Sequence, residues 1–289
     1  MQLVILAAGH GRRFGGLKQL AAVGPNGEAI MDYTARSAER CGFESAVVIV
    51  REEIREEIEA HIASAWPASW RAQIVCQMPI AGTAPAVLSA AGELQGPFGV
   101  VNADDLYGEA ALTALYRTLG GAAPDVHVMV AYHLGKTILT SAPVTRGLCE
   151  LDGEGFLVRI VEQSVRARPD GGYEAAPLGP NRKSDPDATY EWRRSGDEPV
   201  SMNLWGFQQS VLDDLAAAVE AGREQAAAGA ELLLPDVVGE LVSQGRARLR
   251  AVVTESRCIG ITHPDDLDLV RREIATELAA GGGPDAAVG

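Results

Sequence analysis

The sequence predicts an α/β fold of three layers, with helices on both faces of a mostly parallel central sheet. Three observations predict it. Short apolar runs alternate with amphipathic stretches, the first run empties into a glycine-rich loop, and a later run ends in paired aspartates. Strands alternating with helices imply parallel pairing with crossovers covering both faces.

The first apolar run, Leu3 to Ala8, has the length of one buried strand. The loop after it carries Gly9, Gly11, Gly15 and Gly16 together with Arg12, Arg13 and Lys18. Glycine lets backbone N–H groups approach a ligand and converge on it. Cations around such a nest suit a polyphosphate at the carboxyl end of a strand. Two familiar glycine loops are disfavoured. The dinucleotide pattern G-x-G-x-x-G fails because Phe14 stands where the third glycine belongs, and Asp32 lacks a clear second strand before it. The P-loop pattern fails because Leu17 precedes Lys18 and Gln19 follows it. A plain strand-to-helix turn with solvated cations is the structural alternative, and the density of glycines and cations argues against it.

Ile30 to Gly42 reads as a helix, Ser45 to Val50 as a second buried strand, Arg51 to Ala65 as a charged helix, and Ala72 to Gln77 as a third strand. A Gly82-Thr83 loop then opens a helix rich in small residues, which allow a planar group to approach. The competing reading makes Thr83 only the N-cap of that helix. Phe98 to Val101 is a buried strand leading to Asp104 and Asp105. Carboxylates at the end of a central strand are placed to hold Mg²⁺; alternatively, one of them caps the helix starting near Glu109.

Val126 to Tyr132 is a further strand, and Val144 to Ile160 a hairpin turning at Asp152–Gly155. Ser164 to Pro199 has little periodicity and is expected to be an insertion, a lid or an oligomer contact. Val200 to Phe207 returns to strand. Ser210 to Ala228 and Glu231 to Gln244 read as helices, the second begun or kinked at Pro235. Leu249 to Val253 is a strand, a last helix runs to about Leu278, and 281–289 is a frayed tail. No repeat or linker divides the chain, so 1–280 reads as one domain with an insertion at 164–199.

A length of 289 residues and a net charge of −14 suit a globular domain and argue against a nucleic-acid or anionic-membrane surface. The cationic loop must therefore draw in its anion against the overall field. Cys41, Cys76, Cys149 and Cys258 form no zinc or C-x-x-C spacing and read as reduced thiols. No apolar run reaches membrane-spanning length, and the N-terminus lacks signal-peptide character, so a cytoplasmic location is expected.

The run Leu6-Ala7-Ala8-Gly9-His10-Gly11-Arg12-Arg13 followed by Lys18 resembles the L-A-A-G-x-G-x-R…K signature of nucleotidyltransferases that activate sugar phosphates. Its short spacing to the lysine is more similar to the cytidylyltransferase and molybdenum-cofactor branches. The resemblance implies a Rossmann-like nucleotidyltransferase fold, with a nucleoside triphosphate and a sugar 1-phosphate, or another phosphomonoester, as substrates. It implies Arg13, Lys18 and Asp104 as catalytic residues, with Asp104 on Mg²⁺ and Asp105 the weaker metal candidate. Leu6, Ala8, Gly9, Gly11, Arg12, Gln77, Gly82 and Thr83 would bind the nucleotide, and Glu162 and Asn203 the sugar. Thr262, beside His263, is the nearest match to a second metal ligand. A cytidylyltransferase for a non-sugar phosphomonoester, a non-catalytic regulatory homologue and an NAD-dependent enzyme are the alternatives. Neither nucleic acid nor membrane is expected as a partner, and homo-oligomerisation is left open.

Overall fold

The computed structural model describes residues 1–9, 16–138, 140–179, 188–261 and 266–279. The chain begins with β1 (Gln2–Leu6), α1 (Ile30–Cys41), β2 (Ser45–Val50), α2 (Arg55–Ala65), β3 (Arg71–Cys76), α3 (Thr83–Ser89) and β4 (Phe98–Asn102). These strands form the parallel half of the sheet, in the spatial order β3-β2-β1-β4. Every residue of β2 is buried, as a strand covered on both faces requires. Successive residues of β1 feed opposite layers. Leu3 and Ile5 pack with Met31, Ala35 and Ala38 of α1, whereas Val4 and Leu6 join the cluster containing Ala84 and Val87 of α3. This is the period-2 consequence of strand geometry, and it makes the three layers.

The chain continues with β5 (Asp105–Leu106), α4 (Glu109–Gly120), β6 (Val126–His133), β7 (Val144–Leu151), β8 (Leu157–Ala167), β9 (Tyr173–Ala176), β10 (Trp192–Arg194) and β11 (Pro199–Phe207). After these come α5 (Val211–Ala221), α6 (Arg223–Ala227), α7 (Leu234–Ser243), β12 (Arg248–Thr254), β13 (Ile259–Gly260) and α8 (Leu267–Glu277). Strand β11 lies antiparallel to β4 through Trp205–Phe207 and to β7 through Val200 and Ser201. The sheet therefore forks along β11. At the fork the register with β6 slips between Ser201 and Trp205, and Asn203 adopts a left-handed φ of 58°. Asparagine tolerates that conformation better than most residues.

The segment expected as an insertion belongs, in its described part, to the sheet. Strands β8, β9 and β10 pair antiparallel beyond β7. Strands β9 and β10 are too short to print an alternation in the sequence, and the turn between β8 and β9 uses Gly171 and Gly172 at φ of 92° and 72°. The helix expected over Ser210 to Ala228 breaks into α5 and α6 at Gly222, where a Cβ would meet Leu232 Cδ2 at 2.6 Å. The charged helix expected from Arg51 starts as an α-helix only at Arg55, after a 3₁₀ turn over Glu52–Ile54. Helix α7 carries Pro235 in its first turn, as expected. The tail lies outside the described residues. Among those described, no helix is long and apolar enough to cross a membrane.

Candidate active site

Strands β1 and β4 are parallel neighbours, with Leu6 opposite Asn102. Their carboxyl ends therefore open side by side. Lys18, on a 3₁₀ turn over Lys18–Leu20, reaches across and pairs with Asp104 through Nζ and Oδ2. The two side chains are 20% and 21% exposed, enough to meet a ligand yet shielded enough for their charges to count. Neither aspartate caps the next helix, because the N-cap of α4 is Gly108.

The backbone leaving β1 is held from within. Gln19 is buried, and its Nε2 donates to the carbonyls of Ala7 at 2.7 Å and Gly9 at 3.0 Å. Arg51, at the end of β2, donates through Nε to the intervening Ala8 carbonyl at 3.0 Å. Three consecutive carbonyls are thus fixed by side chains that the glycine pattern does not reveal. Replacing Gln19 by leucine removes both bonds and is expected to raise the KM for triphosphate several-fold while the protein stays folded; steady-state kinetics with circular dichroism checks this.

Asp105 plays a different part from Asp104. Its carboxylate is buried and accepts from Asn102 Nδ2 at 2.8 Å. Burial, and secondarily the Asp104 charge, push its pKa up to about 7 against the pull of Asn102, Arg146 and Lys18. It faces the protein interior and buttresses Asn102 at the cleft.

The far side of the site is the Gly82-Thr83 turn. Gly82 has φ of 126°, and a Cβ there would lie 2.2 Å from the Leu232 carbonyl oxygen. The segment before α7 crosses at this point. Leu232 N donates to Ala81 O and Ala84 N to Leu232 O, each at 3.0 Å. Thr83 does not cap its own helix, whose N-cap is Gly82; its Oγ1 accepts instead from Leu234 N at 2.7 Å and so caps α7. Gly82→Ala combines a left-handed φ with a backbone clash and is expected to cost about 3 kcal/mol of stability. Thermal unfolding checks this, and an unchanged midpoint contradicts it.

These features line one cleft of about 1270 Å³. Of the residues expected from sequence, it brings together Leu6, Ala8, Gly9, Lys18 and Asp104 with Gln77, Gly82, Thr83 and Asn203. Glu162 does not line it; it lies on β8 opposite Gly147 of β7. Gly11, Arg12, Arg13, Thr262 and His263 fall outside the described residues. The cleft also takes in Gln19, Arg51, Asn102 and Glu231, which sequence reading missed. The signal for Arg51 and Asn102 was present, since each stands at the carboxyl end of a buried parallel strand.

The family model described as the MobA-like NTP transferase domain matches residues 3–233. The chain belongs to this family. This NTP transferase is therefore a nucleotidyltransferase enzyme. Its fold is similar to that of the inositol-1-phosphate CTP transferase of T. maritima, at a TM-score of 0.62 and 15% identity over 93% of this chain and 94% of that one. It is similar also to a Bacillus anthracis protein assigned as a glucose-1-phosphate thymidylyltransferase, at a TM-score of 0.66 and 11% identity over 94% of each chain. No curated protein matches the NTP transferase in sequence.

Proposed function

We propose that this single-domain enzyme couples a nucleoside triphosphate to a sugar 1-phosphate, giving a nucleotide sugar and pyrophosphate. The observation that carries the reading is the Lys18–Asp104 pair at adjoining strand ends, inside the cleft that also holds the Gly82-Thr83 turn.

The phosphate oxygen of the acceptor attacks the α-phosphorus, and pyrophosphate leaves. That phosphate is largely dianionic at neutral pH, its second pKa being about 6. It needs no strong general base, so alignment and charge neutralisation carry the reaction. Lys18 stabilises the charge developing on the α-phosphate. Arg12, Arg13 and the amides of Gly9 and Gly11 hold the β- and γ-phosphates. Leu6, Ala8, Gln77, Gly82 and Thr83 enclose the nucleoside.

Among the described residues, no group of three or more His, Cys, Asp or Glu side chains converges as a metal cage. A single carboxylate, Asp104, facing a phosphate site is nonetheless the donor set that suits Mg²⁺, which keeps waters and binds through one or two carboxylates plus substrate phosphates. When bound there, Mg²⁺ supplies charge neutralisation on the phosphate oxygens.

On the acceptor side, Asn203 Oδ1 accepts from Trp205 Nε1 at 3.1 Å, which leaves its amide N–H groups to meet a hydroxyl. Glu162, the other sugar-side residue, stands outside the cleft lining. That favours a second reading, a cytidylyltransferase for a non-sugar phosphomonoester. Pyrophosphate release, measured for the common triphosphates crossed with sugar 1-phosphates and polyol phosphates, decides between them. Turnover with sugar 1-phosphates alone supports the first reading, polyol phosphates alone support the second, and no release with any pair overturns both.

A further inference from the structure

The segment linking α6 to α7 forms a wall of the cleft that the proposed reaction leaves without a task. Its main chain is stapled to the Gly82-Thr83 turn by the two Leu232 bonds and by Leu234 N to Thr83 Oγ1. The Leu232 side chain is seated on Gly222. Glu231, one residue before the staple, is exposed and lines the cleft. Among the described residues its carboxylate has no hydrogen-bond or ion-pair partner. A fixed wall thus presents a carboxylate with no protein partner among the described residues to a cleft read as holding a polyanion, and the ligand group suited to meet it is a donor on the uncharged part.

Gln77 lines the same end. Its Nε2 donates to the carbonyls of Ile80 at 3.0 Å and Gly82 at 3.2 Å. Only the NH₂ end of an amide can satisfy two carbonyls, so the orientation is settled by the partners. The atom left for a ligand is the acceptor Oε1. Strand β3, which leads into Gln77, is separated from β1 by β2, so this end lies about 10 Å along the sheet from the phosphate turn. That distance is the reach of a nucleoside.

We infer that Glu231 and the Gln77 carbonyl select a nucleobase bearing an exocyclic amine, so that the triphosphate is that of cytosine, guanine or adenine and not of uracil or thymine. The inference rests on the reading of this cleft as a nucleotide site. Toward the ligand both side chains offer only acceptors, so a base edge that meets both brings two N–H bonds. Cytosine and adenine supply them from one amino group, and guanine from its amino group and ring N–H. Uracil and thymine have a single N–H flanked by carbonyls and would set a lone pair against a carboxylate.

The test is calorimetric titration of the full chain, with Mg²⁺, by CTP, GTP, ATP, UTP and dTTP, repeated with Glu231→Ala. At least one amine-bearing triphosphate is expected to bind about tenfold or more tightly than both UTP and dTTP. Glu231→Ala is expected to weaken that triphosphate about tenfold and UTP less than twofold. UTP or dTTP binding as tightly as the others overturns the inference and leaves the nucleotide reading intact. So does an equal loss for every base in the variant, which would assign Glu231 to the ribose. Absence of binding by all five overturns the nucleotide reading itself.

Discussion

Lys18→Ala is expected to lower kcat by about a thousandfold while the protein stays folded. The lysine is the described cation that meets Asp104, where the α-phosphate is proposed to sit. Its charge acts on oxygens that become more negative as the leaving pyrophosphate departs. Its contribution therefore falls on the transition state and appears in kcat more than in KM. The stability cost is small, because a partly exposed ion pair contributes at most about 1 kcal/mol. Lys18→Arg should not restore the rate, since a guanidinium fork cannot occupy the position of a compact ammonium. Single-turnover kinetics beside thermal unfolding measures both quantities. A variant retaining near wild-type kcat removes Lys18 from the chemistry.

Asp104→Asn is expected to be comparably severe, at about a hundredfold to a thousandfold in kcat, with a raised Mg²⁺ requirement. The amide keeps the shape and loses the charge, so misfolding does not confuse the result. The substitution has a second, independent readout. The Asp104 charge is one of the causes that raise the pKa of Asp105 to about 7. Removing it should move Asp105 downward, toward the usual carboxylate range. Carbon-detected NMR of the Asp105 carboxyl follows that shift. A Mg²⁺ titration curve unchanged from wild type would remove Asp104 as the metal ligand.

The parallel half of the fold was legible because three of its strands, β1, β2 and β4, are buried on both faces and print apolar runs, as β2 does throughout. The meeting of Lys18 with Asp104 was legible too, because consecutive strand–helix units bring successive carboxyl ends to one edge. What escaped was held by backbone atoms. The partners of Gln19 are carbonyls, and no residue pattern announces an amide that serves a main chain. Leu232 meets Gly82 through its peptide groups, across a long sequence separation, so neither side chain advertised the crossing. Gly222 lies inside the single helix expected over Ser210 to Ala228, and the Leu232 side chain packed against it accompanies the break there. The antiparallel extension was obscured by strands as short as Trp192–Arg194.

The branching of the sheet at β11 has an evolutionary consequence. One strand joins the parallel half through Trp205–Phe207 and the hairpin half through Val200 and Ser201, with Asn203 at the hinge of the two. Exchanging residues 144–194 for a cassette of another length would leave the pairing of Trp205–Phe207 untouched. On the proposed reading, a lineage carrying this architecture is free to diversify the acceptor it takes while inheriting the nucleotide end unchanged.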